Sequence, residues 1–471
     1  MRFVLSFGLL AAAAAGQATW LPQSPPMRPT ARESHNLVHD PATQRTFLFW
    51  GLQNGAPASG PFWMWDGSTW TPATPATTGF LFTWGLGGLC EDGAGAMLLF
   101  GGYRPGFGIG GGTPTVLDET WRVQASAAGT LQFLLLSPAT RPAARQAPGM
   151  VRTNQGVLLF GGTNVYGSSF LGDTWLWNGS TWANVSPPVG PTARAFHSMA
   201  FDSTRNVVVL FGGSTSSGST SNDTWEFDGT IWQQRLPLHQ PSPRSRAAFV
   251  FSPAVGKTLL SGGELNGGTA GEVWAWNGVD WLQVASAGTL PAARRGAAFA
   301  YDAQRQQPFL FGGRDPVSHF DDSYYLDVQF APSTYTPFGA GCLGPTGLVP
   351  SLAPLAGEVP ALGSTSHLRV TNLPLRLTLP IFVLGTSNTF EPSPGHPLPL
   401  DLGFLGWPGC EQLVSHDVFD AVPTLTGEAT LPFAVPFVVG LIGFTFHAQV
   451  LVLYQPSGAA VSNALTGVVG L

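Results

Sequence analysis

The chain has 471 residues, more than one ordinary domain holds, and 44 % of them are hydrophobic against only 10 % charged. Gly 60 and Pro 41 make it rich in turns, but that apolar content marks packed and not disordered sequence. A net charge of −6, with Lys257 the sole lysine, excludes the basic patch of a nucleic-acid binder and the polybasic run of a protein held on anionic membranes.

Met1 to Ala18 reads as a secretory signal: Arg2, an apolar stretch dense in Leu and Ala from Phe3 to Ala15, then small residues. Cleavage is expected between Ala15 and Ala18, which implies a periplasmic, surface-attached or secreted protein. The stretch is too short for a stable membrane span. Ala18-Thr19-Trp20-Leu21-Pro22 follows and has the look of the last strand of a repeat unit, detached from the rest of its unit.

From here a unit of about 50 residues recurs six times. The second residue of a Gly-Gly pair (Trp-Gly in the first copy) falls at Gly51, Gly102, Gly162, Gly213, Gly263 and Gly313, in steps of 51, 60, 51, 50 and 50. In the fourth copy, His197 to Phe201 reads as a first strand. Asn206 to Phe211 is a continuous apolar run, as in a strand buried on both faces. Thr224–Phe227 and Thr230–Gln233 flank Asp228-Gly229, a pair that favours a type I′ hairpin, and the turn recurs at Asp66-Gly67, Asn178-Gly179 and Asn277-Gly278. The aromatics bracketing these turns are expected to pack between neighbouring sheets. The sixth copy runs through Tyr324-Tyr325-Leu326 and then lacks its turn and final Trp. The Trp20 segment is therefore expected to complete that sheet and remove the open seam.

The double glycine, the Asp-Thr-Trp elements at Asp173 and Asp223, the looser Asp118-Glu119-Thr120-Trp121 and the closing Trp resemble the kelch repeat, including the form found in galactose oxidase-like proteins. The resemblance covers residues 18 to 330. It implies an all-β chain whose residues 19–333 form a six-bladed kelch-type β-propeller. It does not set a function, because such propellers host binding modules and enzymes alike.

Strand alternation places the connections between second and third strands, and those between units, on one face of such a propeller. These connections are long and are the expected binding face. The longest, from Gly102 to Trp121, carries Tyr103, Arg104 and a glycine-rich run; the third copy adds Tyr166 and the sixth Arg314 and His319. Every unit but the second opens with an arginine: Arg32, Arg145, Arg194, Arg246 and Arg294. Two roles are open to them, a ring of guanidinium groups holding an anion at the channel mouth, or hydrogen bonds to the carbonyls of a neighbouring sheet. Some kelch propellers that bind acidic peptides use arginines after a similar start, so the resemblance lends weight to the anion-binding role.

No catalytic constellation stands out. Copper-radical oxidases of this fold need paired tyrosines, a cross-linked cysteine and two histidines, and Leu89-Cys90-Glu91 does not match their cysteine motif. Arg314, Asp315, His319, Asp321 and Asp322 form the most polar loop, but one histidine and scattered carboxylates fall short of a metal-ligand set. His35 and His197, three residues after Arg32 and Arg194, read as structural histidines. No phosphate loop or Gly-x-Ser-x-Gly element is present, and nothing calls for a cofactor.

Near Ser333 the repeat ends. Residues 334–471 are Leu/Pro/Gly-rich with short alternating runs such as Leu368–Thr371 and Leu377–Leu384, and a C-terminal β-sandwich is expected. Phe338–Gly347, Leu384-Gly385-Thr386-Ser387-Asn388, Leu398–Leu402, Gly409-Cys410, Phe446–Gln449 and Ser462–Ala464 resemble a domain recurrent in secreted bacterial proteins, which implies an accessory, attachment or sorting module. Leu431 to Tyr454 is apolar, but its prolines and glycines fit two buried strands better than a span. In an exported domain Cys342 and Cys410 are expected to form a disulfide, contributing about 4 kcal/mol in the chain-entropy picture, with Cys90 left as a buried thiol. The sequence thus points to an exported monomeric kelch protein that binds a protein or glycan ligand through its long-loop face. A carbohydrate-active enzyme (an oxidase or sugar epimerase) and a structural component of the cell envelope are the alternatives.

Overall fold

The chain divides into two compact units, Gln17–Gln329 and Phe330–Leu471. The computed structural model describes Gln17–Gln329 apart from residues 77–84, 105–112, 165–166 and 216–218. In the second unit it describes all but 331–333, 344–346, 357, 362–363, 375–377, 386–389, 392–395, 399, 402–410, 414–417, 435–444, 455–458 and 469–471. Residues 1–16, Tyr166, Cys410 and most of the glycine-rich run after Arg104 thus lie outside the described residues.

Among the described residues of the first unit, each of the first five repeats folds into four antiparallel strands in sequence order, the sixth supplies three, and there is no helix. The first sheet is Asn36–Asp40, Arg45–Phe49, Phe62–Trp65 and Trp70–Pro72. The second is Gly88–Glu91, Met97–Phe100, Thr120–Ala125 and Thr130–Leu136, with Thr74–Pro75 parallel to its outer edge. The third is Gly149–Thr153, Gly156–Phe160, Thr174–Trp177 and Trp182–Asn184. The fourth is Ser198–Asp202, Val207–Thr215, Thr220–Phe227 and Trp232–Arg235. The fifth is Ala248–Ser252, Lys257–Ser261, Val273–Trp276 and Trp281–Gly288. In the sixth, Ala298–Asp302, Gln307–Phe311 and Ser323–Gln329 are joined by Gln17–Gln23, which pairs antiparallel to Ser323–Gln329 with Trp20 opposite Leu326. Gln17–Trp20 also run parallel to Ala285–Gly288, stitching the fifth and sixth sheets together. In the fourth sheet the two middle strands continue beyond the glycine pair and meet again at Gly213–Ser221 and Ser214–Thr220, after an irregularity that the pair itself introduces.

First strands of successive sheets are neighbours, and the first strand of the sixth lies against that of the first, so the contacts close on themselves. The apolar clusters sit between sheets. Leu98, Phe100 and Trp182 join the second and third sheets; Phe160, Leu210 and Trp232 join the third and fourth. Outer tryptophans also hydrogen-bond backwards. The Trp182, Trp232 and Trp281 indoles donate to the hydroxyls of Thr120, Thr174 and Thr224 in the preceding sheet at 2.9–3.0 Å, and Trp70 donates to Ser323 Oγ at 3.2 Å. Each such buried bond contributes on the order of 1 kcal/mol.

The glycine pair has a steric cause. Its first member is left-handed (φ 64° at Gly212) and its second has φ 102° at Gly213. A Cβ on Gly212 would lie 2.5 Å from the Arg244 carbonyl oxygen, and the Gly213 N–H donates to that same oxygen at 2.9 Å. Gly102, Gly162, Gly263 and Gly313 donate in the same way to Arg145, Arg194, Arg294 and Arg32 of the next sheet. The motif is therefore the seam between sheets.

In the second unit, Thr334–Phe338, Ala464–Val468, Thr445–Tyr454, Thr378–Gly385 and Val418–Ala421 form one sheet, with Ala459–Val461 also on Thr445–Tyr454. Ser351–Pro354, Thr365–Thr371 and Ala429–Ala434 form another. Leu352, Leu368, Val370, Phe382, Val450 and Val452 are buried in this unit. The apolar stretch 431–454 thus contains parts of two strands, and among the described residues no helix is long and apolar enough to cross a membrane.

Candidate functional site

The arginines that open the repeats divide into two groups. Arg32, Arg145, Arg194 and Arg294 are at most 3 % exposed, and their guanidinium groups turn into their own sheet. Arg194 Nη1 donates to Gly212 O (2.9 Å) and Asp223 Oδ1 (2.6 Å), and Nη2 to Asp223 Oδ2 (2.8 Å). Arg145 holds Gly161 O and Asp173 likewise, and Arg294 holds Gly312 O and Asp322. The carboxylate in turn accepts the Trp175 or Trp225 indole N–H, which explains the Asp-Thr-Trp spacing. Burial pushes the Asp173 and Asp223 carboxyls up, but the arginine's hydrogen bonds and charge outweigh it and hold both below the ordinary aspartate value. The first sheet has no such carboxylate, and Arg32 donates to the carbonyls of Trp50, Ser59 and Gly60 instead. These four arginines bind carbonyls and carboxylates of the protein; they do not form a ring of free guanidinium groups.

In the fifth sheet that role belongs to Arg244, 1 % exposed, which donates to Gly262 O and Glu272 Oε1. Arg246, the residue expected there from the sequence, lies two positions on and faces the axis. It is one of six structurally equivalent residues, Ser34, Leu86, Ala147, Phe196, Arg246 and Gly296, all left-handed with φ between 52° and 63°. Their backbones link in a chain around the axis: Ser34 N–H to Gly296 O, Gly296 to Arg246, Arg246 to Phe196, Phe196 to Ala147 and Ala147 to Leu86, at 2.6–3.3 Å. Five of the six are not glycine, at on the order of 1 kcal/mol or more each, which this chain of hydrogen bonds offsets. The ring borders an axial cavity of about 230 Å³ whose wall also includes Met150, Met199 and the buried His35 and His197. His197 finds no hydrogen-bond partner for either ring nitrogen among the described residues. Burial, then the Arg194 charge, pulls its pKa down to about 3.

Beside Arg246 a charged sector forms on the long-loop face. Arg314 and His319 from the sixth sheet's loop join it, as do Glu33, Glu264 and Arg295, which sequence reasoning did not single out. The buried Glu33 carboxylate lies 3.5 Å from Arg295 Nε and from Arg314 Nη1, 3.8 Å from His319 Nε2 and 3.9 Å from Arg246 Nη1. Glu264 pairs with Arg295 and lies 3.4 Å from Arg246 Nε. Burial and then the Arg314 charge lower the His319 pKa, so the ring is neutral at pH 7. The Arg246 guanidinium stacks on the Phe196 ring at 4.0 Å. The topology explains the gathering: Glu33 and Arg295 directly follow a buried arginine, Glu264 and Arg314 directly follow a glycine pair, and these positions bridge one another at the rim.

The other candidates lie elsewhere. Tyr103 is half-buried in a two-residue ladder opposite Val116. Arg104 lies 3.4 Å from Glu119, in the second sheet, whose unit opens without an arginine. Tyr166 is outside the described residues. In the polar loop of the sixth copy the carboxylates diverge: Asp315 caps its own turn, Asp321 pairs with Arg28 and Asp322 with Arg294. Among the described residues no three His, Cys, Asp or Glu side chains come together as a metal site. Cys90 is a free thiol whose pKa burial raises. Cys342 is buried, and the partner expected for it, Cys410, lies outside the described residues.

Residues 150–336 match the family described as the KLHDC2/KLHL20/DRC7 Kelch-repeats domain, over less than half of the chain. A solved structure described as "Structure of YjhT" superposes with a TM-score of 0.50 at 12 % identity, covering 65 % of this chain and 99 % of that one. The fold is a kelch-repeat propeller. No curated protein matches the sequence.

Proposed function

We propose that this kelch propeller is an exported, monomeric binding protein that recognises a protein or glycan through its long-loop face. In this reading the sector of Glu33, Arg246, Glu264, Arg295, Arg314 and His319 is the contact that gives specificity, and the C-terminal unit serves attachment or sorting. The observation that carries the proposal is the polarity of the rim. The first, fifth and sixth sheets present these charges, whereas equivalent positions on the third and fourth are Gln146, Thr163, Ala195 and Ser214. Arginines at 22–25 % side-chain exposure, partly desolvated and poised on a concave face, suit the polar anchors of an interface. The resemblance to galactose oxidase-like propellers enters only as scaffold, and export and the Cys342–Cys410 pairing belong to the same proposal.

A glycan and peptide array probed with the full secreted chain tests it. The Arg246→Met/Arg314→Met double variant should lose the signal, and Arg205→Met, whose guanidinium pairs with Asp202 and Glu226 away from the rim, should keep it. Signal that survives the rim variant and vanishes with Arg205→Met would place recognition on the other face.

A further inference from the structure

The residue after each left-handed ring residue is, from the first sheet to the sixth, His35, Gly87, Pro148, His197, Ala247 and Ala297. Histidine stands at this position only in the first and fourth sheets, which lie opposite one another in the closed ring. Both rings are wedged into a seam. The His35 ring meets Phe311 of the sixth sheet at 5.4 Å and 78°, and the His197 ring meets Phe160 of the third at 5.4 Å and 75°. Each also rests on the glycine pair of that preceding sheet. A Cβ on Gly312 would come within 2.9 Å of His35 Cε1, and one on Gly161 within 3.1 Å of His197 Cε1. The two residues are 6 % and 8 % exposed, and all four ring nitrogens are buried without a hydrogen bond to any described residue. A charge on either ring would be neither solvated nor paired while its seam is shut.

The groups around the two rings make His35 the more sensitive. Burial and then the Arg32 charge lower its pKa to about 3, and the Phe311 carbonyl works the other way. Arg194 likewise opposes a charge on His197, but there the Asp223 carboxylate favours it. Arg32 holds carbonyls, so it brings no such compensation. The seam beside His35 also carries the rim sector. Arg32 N–H donates across it to Phe320 O (3.1 Å), Gly313 N–H to Arg32 O (2.8 Å) and Ser34 N–H to Gly296 O (2.8 Å). Glu33 faces Arg295 and Arg314 across the same line.

We propose that proton uptake by His35 and His197 parts the ring at these two opposite seams, and that the parting beside His35 separates Glu33 from Arg295 and Arg314 and weakens binding at the rim. The proton comes from solvent and joins the imidazole as the seam opens. One proton per opening raises the open fraction about tenfold for each pH unit below about 6.5, and changes nothing above it. The seams that hold Ala247 and Ala297 take up no proton and stay shut. The seam opening stands by itself; its effect on binding rests on the long-loop face being the binding face.

Hydrogen–deuterium exchange of the full chain between pH 7 and 4.5, corrected for the intrinsic pH dependence of amide exchange, tests the opening. Protection should fall by about tenfold per pH unit below about 6.5 at the amides of Arg32, Ser34 and Gly313, and at those of Gly162, Arg194 and Phe196. It should stay level at Gly213, Arg244 and Arg246, and at Gly263, Arg294 and Gly296, which cross the alanine seams. His35→Ala, which installs the residue already used by the fifth and sixth sheets, should level the first set alone, and His197→Ala the second alone. His35→Gln and His197→Gln repeat the comparison if the alanine variants melt low. Equal loss of protection at all four seams, or a slope unchanged in every histidine variant, would overturn the proposal. For the coupling, the array-selected ligand is titrated at pH 7 and 4.5. His35→Ala should retain about tenfold more of its pH 7 affinity than wild type, and His197→Ala no more than wild type. If exchange follows the histidines but His35→Ala loses affinity as wild type does, the coupling is refuted. If Arg246→Met/Arg314→Met also keeps its array signal, the long-loop reading falls with it.

Discussion

Arg194 and Arg246 belong to neighbouring repeats and differ in kind, and replacing each with methionine separates the two roles open to the repeat arginines. Methionine keeps the apolar stem and removes the guanidinium. At Arg194 this deletes donors to Thr192 O, Thr192 Oγ1, Gly212 O and both oxygens of Asp223. Breaking a buried ion pair on one side costs about 3–5 kcal/mol. Asp223 retains 20 % side-chain exposure and the Ser221 and Trp225 donors, which lowers the expected loss to about 2–4 kcal/mol. At roughly 2–3 °C per kcal/mol for a domain of this size, the melting temperature should fall by about 5–10 °C. Arg246 makes longer ionic contacts at 3.4–3.9 Å and a stack on Phe196, so its loss should change stability by about 1–2 kcal/mol, less than that of Arg194, while abolishing ligand binding. Differential scanning fluorimetry and array binding on the same preparations read both effects. An Arg194→Met protein that melts like wild type but no longer binds would refute the division.

Acid should destabilise the chain in two stages. His197 has its pKa lowered from 6.5 to about 3 in the folded state, so the unfolded chain takes up a proton first and stability is lost as pH falls below about 6.5. Asp173, Asp223 and Glu272 sit below their ordinary values, so their contribution is present above about pH 4 and lost as pH falls through the lowered values. Urea midpoints against pH check both stages; His35 is lowered to about 3 as well, so His197→Gln should make the first shallower and the double variant with His35→Gln flatten it, and a flat wild-type profile between pH 7 and 5 would contradict it. Trp20 occupies the register position of Trp182, yet its indole N–H has no hydrogen-bond partner among the described residues, because the fifth sheet carries Val273 where the third carries Thr174. Val273→Thr should therefore stabilise by about 0.5–1.5 kcal/mol, and a destabilised variant with the valine pocket intact would count against that register. Titration of denatured, unreduced protein should find one thiol, that of Cys90; three would rule out the Cys342–Cys410 bridge.

The repeating fold was legible because its causes are local. A glycine is needed where a Cβ would strike the next sheet's arginine carbonyl, and the requirement recurs every 50 residues or so. The first copy departs from it at Trp50, which adopts the left-handed conformation itself at φ 56°. The arginines were legible as a series but not in role. Arg194, Arg244, Arg294 and Arg32 each lie 18 residues before the carbonyl they hold, and counting back from the glycine pair in this way separates Arg244 from Arg246. Glu33, Glu264 and Arg295 escaped notice because they belong to three different units and nothing in the sequence links them to one another. They meet only because the ring of sheets closes and brings the first, fifth and sixth together. The signal that could have found them is positional: the residue after each buried arginine and the residue after each glycine pair share the rim.

Hydrogen–deuterium exchange of the full chain, with and without its array-selected ligand, tests most directly whether the rim does the recognising. Protection should appear in the peptides around Glu33, Arg246, Glu264, Arg295 and Arg314. Protection confined to the tight turns on the opposite face, at Asp66-Gly67, Asn178-Gly179, Asp228-Gly229 and Asn277-Gly278, with the rim unchanged, would contradict the account.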